Sequence, residues 1–107
     1  MRISWSDLER ILPKVSKPGR YTGGEYNSVI RDWSTARVRV CLAFPEIYDL
    51  GMSNLGLAIF YEMLNNLPGV LAERTYLPWV DMIARMREDQ LPLFSLESKS
   101  SLDEFDI

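Results

Sequence analysis

The stretch from Val38 to Leu67 constrains the fold most. Arg37-Val-Arg-Val-Cys-Leu-Ala-Phe begins by alternating polar and apolar residues and then becomes continuously apolar. That pattern is expected of a strand over Val38–Ala43 entering a sheet covered on both faces. Pro45 ends it, because proline cannot donate to a central ladder. A turn, Phe44-Pro-Glu-Ile-Tyr-Asp-Leu-Gly-Met, leads into a helix expected over Ser53–Asn66 with Ser53 as its cap. Leu55, Leu57, Ala58, Ile59, Phe60, Met63, Leu64 and Leu67 spread over a wide arc, which predicts a deeply packed helix. Leu67-Pro-Gly closes the helix, and Val70–Tyr76 reads as a second strand. Strand, helix, strand implies a parallel pair joined by a right-handed crossover. In open α/β sheets, ligands settle where such a strand ends and its helix begins.

The flanking segments are read in the same way. Ser6-Asp7-Leu8-Glu9 has the spacing of a capping box, with Leu8, Ile11 and Leu12 forming a small apolar face before Pro13 stops the helix. Lys17–Tyr26 holds Pro18 and three glycines and reads as a loop. Asn27–Trp33 alternates weakly, as a short edge strand or hairpin arm would. Pro78 suits the first turn of another helix carrying Trp79, Met82, Ile83 and Met86 at helical spacing. Leu91-Pro-Leu-Phe-Ser-Leu reads as a short strand, Ser101-Leu-Asp-Glu as a second capping box, and Asp106-Ile107 as the beginning of a strand. The chain thus divides into an N-terminal helix and extended basic arm, 1–36, and the first part of an α/β domain, 37–107. Two or three parallel strands cannot cover those apolar helices, so further strands are expected after Ile107.

Charge and composition narrow the function. Residues 1–40 carry eight Lys/Arg against four Asp/Glu, and residues 41–107 carry four against eleven. A basic front has two readings: packing against the acidic body or a partner domain, or RNA contact by an arm with Arg20, Tyr21 and Tyr26. The chain has no histidine and one cysteine, Cys41, inside the first predicted strand. Imidazole bases, histidine metal ligands and internal disulfides are therefore excluded. No apolar run approaches the roughly 20 residues that span a bilayer, and no signal-peptide core opens the chain, so the cytoplasm is the expected compartment.

The turn 44–56 is the candidate site. Gly51 permits a close backbone approach, and the helix start behind it offers free N–H groups. Gly51 and Gly56 have Walker-loop spacing, but Leu57-Ala58 replaces the Lys-Ser/Thr pair that would reach phosphate and magnesium. The G-x-G-x-x-G dinucleotide fingerprint is absent. Glu46 and Asp49 are the carboxylates within reach of one another in sequence, a pattern that solvated turns share.

Several runs together carry a resemblance: Lys17-Pro-Gly-Arg-Tyr, Gly24-Glu-Tyr-Asn, the run F-P-x-x-Y-x-x-G-M-S-x-L-G-L from Phe44 to Leu57, Leu71-Ala-Glu-Arg, Pro78-Trp-Val-Asp-Met and Pro92-Leu-Phe-Ser-Leu-Glu. Over nearly its whole length the chain resembles the N-terminal part of a bacterial radical SAM family whose members carry a cobalamin-binding-like domain ahead of a radical SAM barrel. The resemblance implies a flavodoxin-like, Rossmann-like doubly wound parallel sheet. It also implies a [4Fe–4S] cluster and S-adenosylmethionine for the whole protein, and a downstream barrel of the same chain as the partner. The residues it would offer a cobalamin are Phe44, Pro45, Tyr48, Gly51, Met52, Ser53 and Gly56. Two family features are missing. One cysteine cannot supply the C-x-x-x-C-x-x-C motif whose thiolates converge on a cluster. The D-x-H-x-x-G motif of many cobalamin domains needs a histidine. The expected role is an accessory domain without catalytic residues; the alternatives are an RNA-binding or interaction module built on the basic arm, and an independent small-molecule enzyme of flavodoxin-like fold.

Overall fold

The computed structural model describes residues 2–107. In chain order it has helix α1 (Trp5–Ile11), strand β1 (Val38–Phe44), a single helical turn α2 (Tyr48–Gly51), helix α3 (Leu55–Asn65), strand β2 (Val70–Tyr76) and helix α4 (Val80–Glu88). Short 3-10 turns lie at Leu12–Lys14, Pro18–Tyr21, Trp33–Thr35 and Leu102–Glu104. β1 and β2 pair in parallel from Val38 opposite Val70 to Phe44 opposite Tyr76. The strand–helix–strand unit is therefore present as a small α/β domain. Gly69 makes its sharp closing turn possible: its φ is +76°, and a Cβ there would press on the Arg37 side chain at 2.9 Å.

The main core lies between the N-terminal segment and α4. Ile3, Leu8, Ile11, Val15 and Tyr21 pack with Met82, Met86 and Phe94, so residues from both halves of the chain share one apolar cluster. The helix start differs from expectation. Ser4, not Ser6, caps α1: its hydroxyl accepts from the Asp7 N–H, and the Asp7 carboxylate accepts from the Ser4 N–H. That frame places Ile3 before the cap and Leu8 four residues into the helix, the spacing of a hydrophobic staple, and both are buried. α3, by contrast, is capped one residue later than expected, with the Asn54 carboxamide accepting from Leu57 N–H at 2.9 Å, while the Ser53 hydroxyl donates to the Leu50 carbonyl.

Other expectations are corrected. Asn27–Trp33 forms no strand; Asp32 instead caps the 3-10 turn at Trp33. Leu91–Leu96 makes only an isolated antiparallel bridge, Phe94 with Ser101, because the chain turns back at Lys99, whose φ is +60°. Ser101 does precede a 3-10 turn, but its side chain makes no cap to that turn and donates to Asp103. Pro78 lies just ahead of α4, whose cap is Trp79. The largest difference is α3. Tyr61 and Asn65 are buried, but Leu55, Ile59, Phe60, Met63 and the following Leu67 are 48–74% exposed. Its apolar arc is wide because two faces are apolar, and only one is covered. No helix among the described residues is long and apolar enough to cross a membrane.

Candidate functional site

At the C-terminal end of the sheet, the turn after β1 folds back onto β2. Phe44 ends β1 opposite Tyr76. The Leu77 N–H donates to the Glu46 carbonyl, tying the two strand ends together. Tyr48 stands edge-on to Tyr76, with ring centroids 5.8 Å apart, and its hydroxyl donates to Glu25. Gly51 is buried against the Tyr76 ring, and a Cβ there would lie 2.2 Å from two of its atoms. The Met52 sulfur accepts from the Tyr76 hydroxyl at 3.3 Å and from Arg74 at 3.4 Å. The structure thus gathers Phe44, Tyr48, Gly51 and Met52 around Tyr76. Pro45, Ser53 and Gly56 lie at the surface outside that cluster. Asp49 is engaged by Arg20 at 3.0 Å and Lys17 at 3.5 Å, rather than set against Glu46 as half of an acid–base pair.

The centre of the arrangement is Arg74, which sequence reasoning passed over. Its side chain is 4% exposed and forms ion pairs of 2.7 Å with both Glu97 and Glu25. It also donates to the Ser28 hydroxyl and lies over the Tyr61 ring at 4.3 Å. Glu97 returns to the backbone of the same residue, accepting from the Arg74 N–H at 2.9 Å, and accepts from the Tyr61 hydroxyl at 2.7 Å. That hydroxyl in turn accepts from the Val29 N–H. A charge so deep must be paired, and here four separate chain segments, at Glu25–Ser28, Met52, Tyr61 and Glu97, converge on it. Burial pushes the Glu97 carboxyl up, and the attraction of Arg74 only partly offsets it. Burial also acts to raise Glu25, but donation from Tyr48 and Ser28 and the charge of Arg74 outweigh it and hold that carboxyl down. Tyr48 is pushed up to about 12 by burial and by its bond to Glu25. Tyr61 is raised by burial and by the charge of Glu97. The available signal was a Glu-Arg pair inside an otherwise apolar strand, Val70-Leu-Ala-Glu-Arg-Thr-Tyr.

The middle of the basic arm packs into the molecule, while Lys14, Lys17, Arg31 and Arg37 stay exposed. The Arg20 guanidinium lies against Asp49 and over the Trp79 ring, 5.7 Å from its centroid. Tyr21 is buried, and its hydroxyl accepts from the Trp79 N–H. Gly23 passes so close to the loop 93–101 that a Cβ would sit 2.6 Å from the Leu96 carbonyl oxygen. The Lys99 ammonium donates to the carbonyls of Thr22 and Leu96. Tyr26 alone of the three arm residues named above is fully exposed. The arm therefore forms a strap across the strand ends, with Glu25 as its inner anchor.

The strand ends leave little open space. Drug-sized ligands occupy cavities of about 300–1,000 Å³, whereas the spaces at the strand ends measure about 20 Å³ beside Arg20 and Tyr48, 150 Å³ beside Phe44 and Pro45, and 30 Å³ beside Met52 and Gly51. Of the proposed binding residues, Phe44, Tyr48, Gly51 and Met52 pack around Tyr76. Among the described residues, no three His, Cys, Asp or Glu side chains are placed to hold a metal ion. Cys41 is half-buried, and burial, then the charges of Glu73 and Glu97, pushes its thiol up to about 12; it stays protonated at neutral pH and is a poor thiolate ligand.

Residues 56–107, comprising most of α3, then β2, α4 and the loop that carries Glu97, match the family model described as radical SAM proteins, N-terminal. No curated protein and no solved structure matches the chain.

Proposed function

We propose that this chain is the N-terminal accessory region of a radical SAM protein, and that it works as a scaffold rather than as a cofactor domain. The observation that carries this reading is the match of residues 56–107 to the N-terminal region of radical SAM proteins. Within those residues lie Arg74 and Glu97, the centre of the buried network. On this reading the [4Fe–4S] cluster and S-adenosylmethionine belong to a catalytic barrel further along the same polypeptide, where three thiolates converge on one cluster. The fold is the first part of a flavodoxin-like sheet, and the strand-end turn Phe44–Gly56 is a packing surface toward the barrel. The packing of Tyr48 and Met52 on Tyr76, with the arm across them, supports a scaffold over a cobalamin site at these strand ends. The arm acts as a clasp within the domain, and its use of Arg20 against Asp49 argues for packing over RNA contact.

The test is the full-length protein reconstituted anaerobically with iron and sulfide. The expected result is a broad visible absorption of a [4Fe–4S] cluster, lost when the three downstream cysteines are replaced by alanine, and no cobalamin retained after gel filtration with hydroxocobalamin. A full-length protein without a three-cysteine motif overturns the radical SAM assignment. Stoichiometric cobalamin retention overturns the scaffold reading.

A further inference from the structure

α3 packs into its own domain by one face only. Tyr61 and Asn65 are buried and Leu57 and Leu64 half-buried, whereas Leu55, Ile59, Phe60, Met63 and the following Leu67 lie open. Gly56, Phe60, Met63 and Leu67 recur at steps of four, three and four, the a/d spacing of a helix–helix seam. The positions bordering such a seam normally carry the charges that select a partner. Here they are Leu57, Ile59, Leu64 and Asn66, all uncharged. The one charged residue of α3, Glu62, stands about a third of a turn away from the seam. The seam therefore holds nothing that repels a second copy and no charge that would attract a basic or acidic partner.

The area is also that of an interface. At roughly 200 Å² for a fully exposed residue of this size, the five open residues present on the order of 600 Å². The largest apolar patch of a typical monomer is about 300–600 Å². The arm widens the surface: Asn27 and Val29 line a groove alongside Leu55 and Ile59, and Ile30, next in the chain, is 68% exposed. The whole approaches the roughly 800 Å² that each partner gives to a stable interface.

The seam fits itself in one direction. A Cβ at Gly56 would meet nothing within 4 Å except the Asn54 cap, at 3.3 Å, so Gly56 is an open notch. Two copies running antiparallel set the Gly56 notch of each against Leu67 of the other, and Phe60 of each against Met63 of the other. They also bring opposite ends of the two helix dipoles together. A parallel pair would set notch against notch and Leu67 against Leu67.

We infer that two copies of this chain associate through α3, antiparallel, about a two-fold axis between Phe60 and Met63. The inference goes beyond the accessory role proposed above and does not depend on it.

Sedimentation velocity of this chain, from low to high micromolar concentration, tests it. The expected result is a reversible monomer–dimer equilibrium. Phe60→Lys, and Gly56→Leu, which fills the notch, should each weaken the dimer at least tenfold with the circular dichroism of the monomer unchanged. A chain that stays monomeric overturns the inference, and the bare face then belongs to a different partner. A dimer indifferent to both variants, or growth into larger assemblies, also overturns it. Oxidative cross-linking reads the direction, with the unsubstituted chain as the control for Cys41. Copies carrying Gly56→Cys should link to copies carrying Leu67→Cys, whereas Gly56→Cys alone should not link, because about 16 Å of helix rise separates the two notches. Linking of Gly56→Cys to itself overturns the antiparallel pairing. None of these readouts involves an iron–sulfur cluster, so a failure here leaves the radical SAM reading standing, and the reverse.

Discussion

Replacing Arg74 by Met probes the buried network at its centre. The side chain is 4% exposed and meets two carboxylates at 2.7 Å. At an effective dielectric near 20, each contact is worth about 6 kcal/mol of gross attraction, most of it offset by the cost of taking three charges out of water. Methionine fills much of the same volume but leaves Glu97, 1% exposed, without its cation. Breaking a buried pair from one side costs about 3–5 kcal/mol, against a total stability of about 5–15 kcal/mol for a domain of this size. Arg74→Met should therefore lose that amount in urea unfolding followed by tryptophan fluorescence at pH 7. The loss depends on pH in a definite direction. The Glu97 carboxyl is already raised in the folded protein, so the folded state binds its proton more readily than the unfolded state. Stability from that proton is full below the unfolded value and is lost as pH rises through the folded one. Without Arg74 the folded value rises further, so the deficit of the variant should shrink between pH 7 and pH 5. Arg74→Met/Glu97→Gln removes both charges and should recover more than half of the loss. A cost below about 1 kcal/mol for the single variant, or no recovery in the double variant, would refute the view that Arg74 and Glu97 stand as one buried unit.

Gly51→Ala sets two effects against each other. The better helix propensity of alanine is worth about 1 kcal/mol, but its methyl would lie 2.2 Å from two atoms of the Tyr76 ring, and overpacking costs about 1–3 kcal/mol; the melting temperature should fall by several degrees, and a rise would show that Tyr76 swings aside freely. Cys41, with its thiol pushed up to about 12, should react with a disulfide reagent at pH 8 at least tenfold more slowly than after unfolding in urea. Phe60→Lys changes a side chain that is 59% exposed; urea stability of this chain should move by no more than about 0.5 kcal/mol, while any self-association seen by sedimentation should weaken.

The strand–helix–strand unit was legible because its signals are long and local. The apolar run of β1, the helical spacing through Met63 and the Pro-Gly turn at Gly69 each leave one conformation open. Cap positions were harder to place. Ser4 and Ser6 both stand three residues ahead of an acid, and burial of Ile3 beside Leu8 settled the choice, a fact of packing rather than of spacing. Ser53 and Asn54 presented the same ambiguity one residue apart. Composition made Lys17–Tyr26 a loop, but it could not say that Glu25 would reach Arg74, forty-nine positions away, or that Arg20 would find Asp49.

What the sequence determined alone is the parallel pairing of two strands through a helix, and the absence of any histidine or thiol pair for catalysis. Both follow from residue identity and short-range pattern. The tertiary structure decided where the charges go and that Tyr48, Gly51 and Met52 pack around Tyr76 at the strand ends. Those outcomes depend on side chains meeting across long loops. Their energies come from desolvation and hydrogen-bond geometry at the meeting point, which have no counterpart in local sequence.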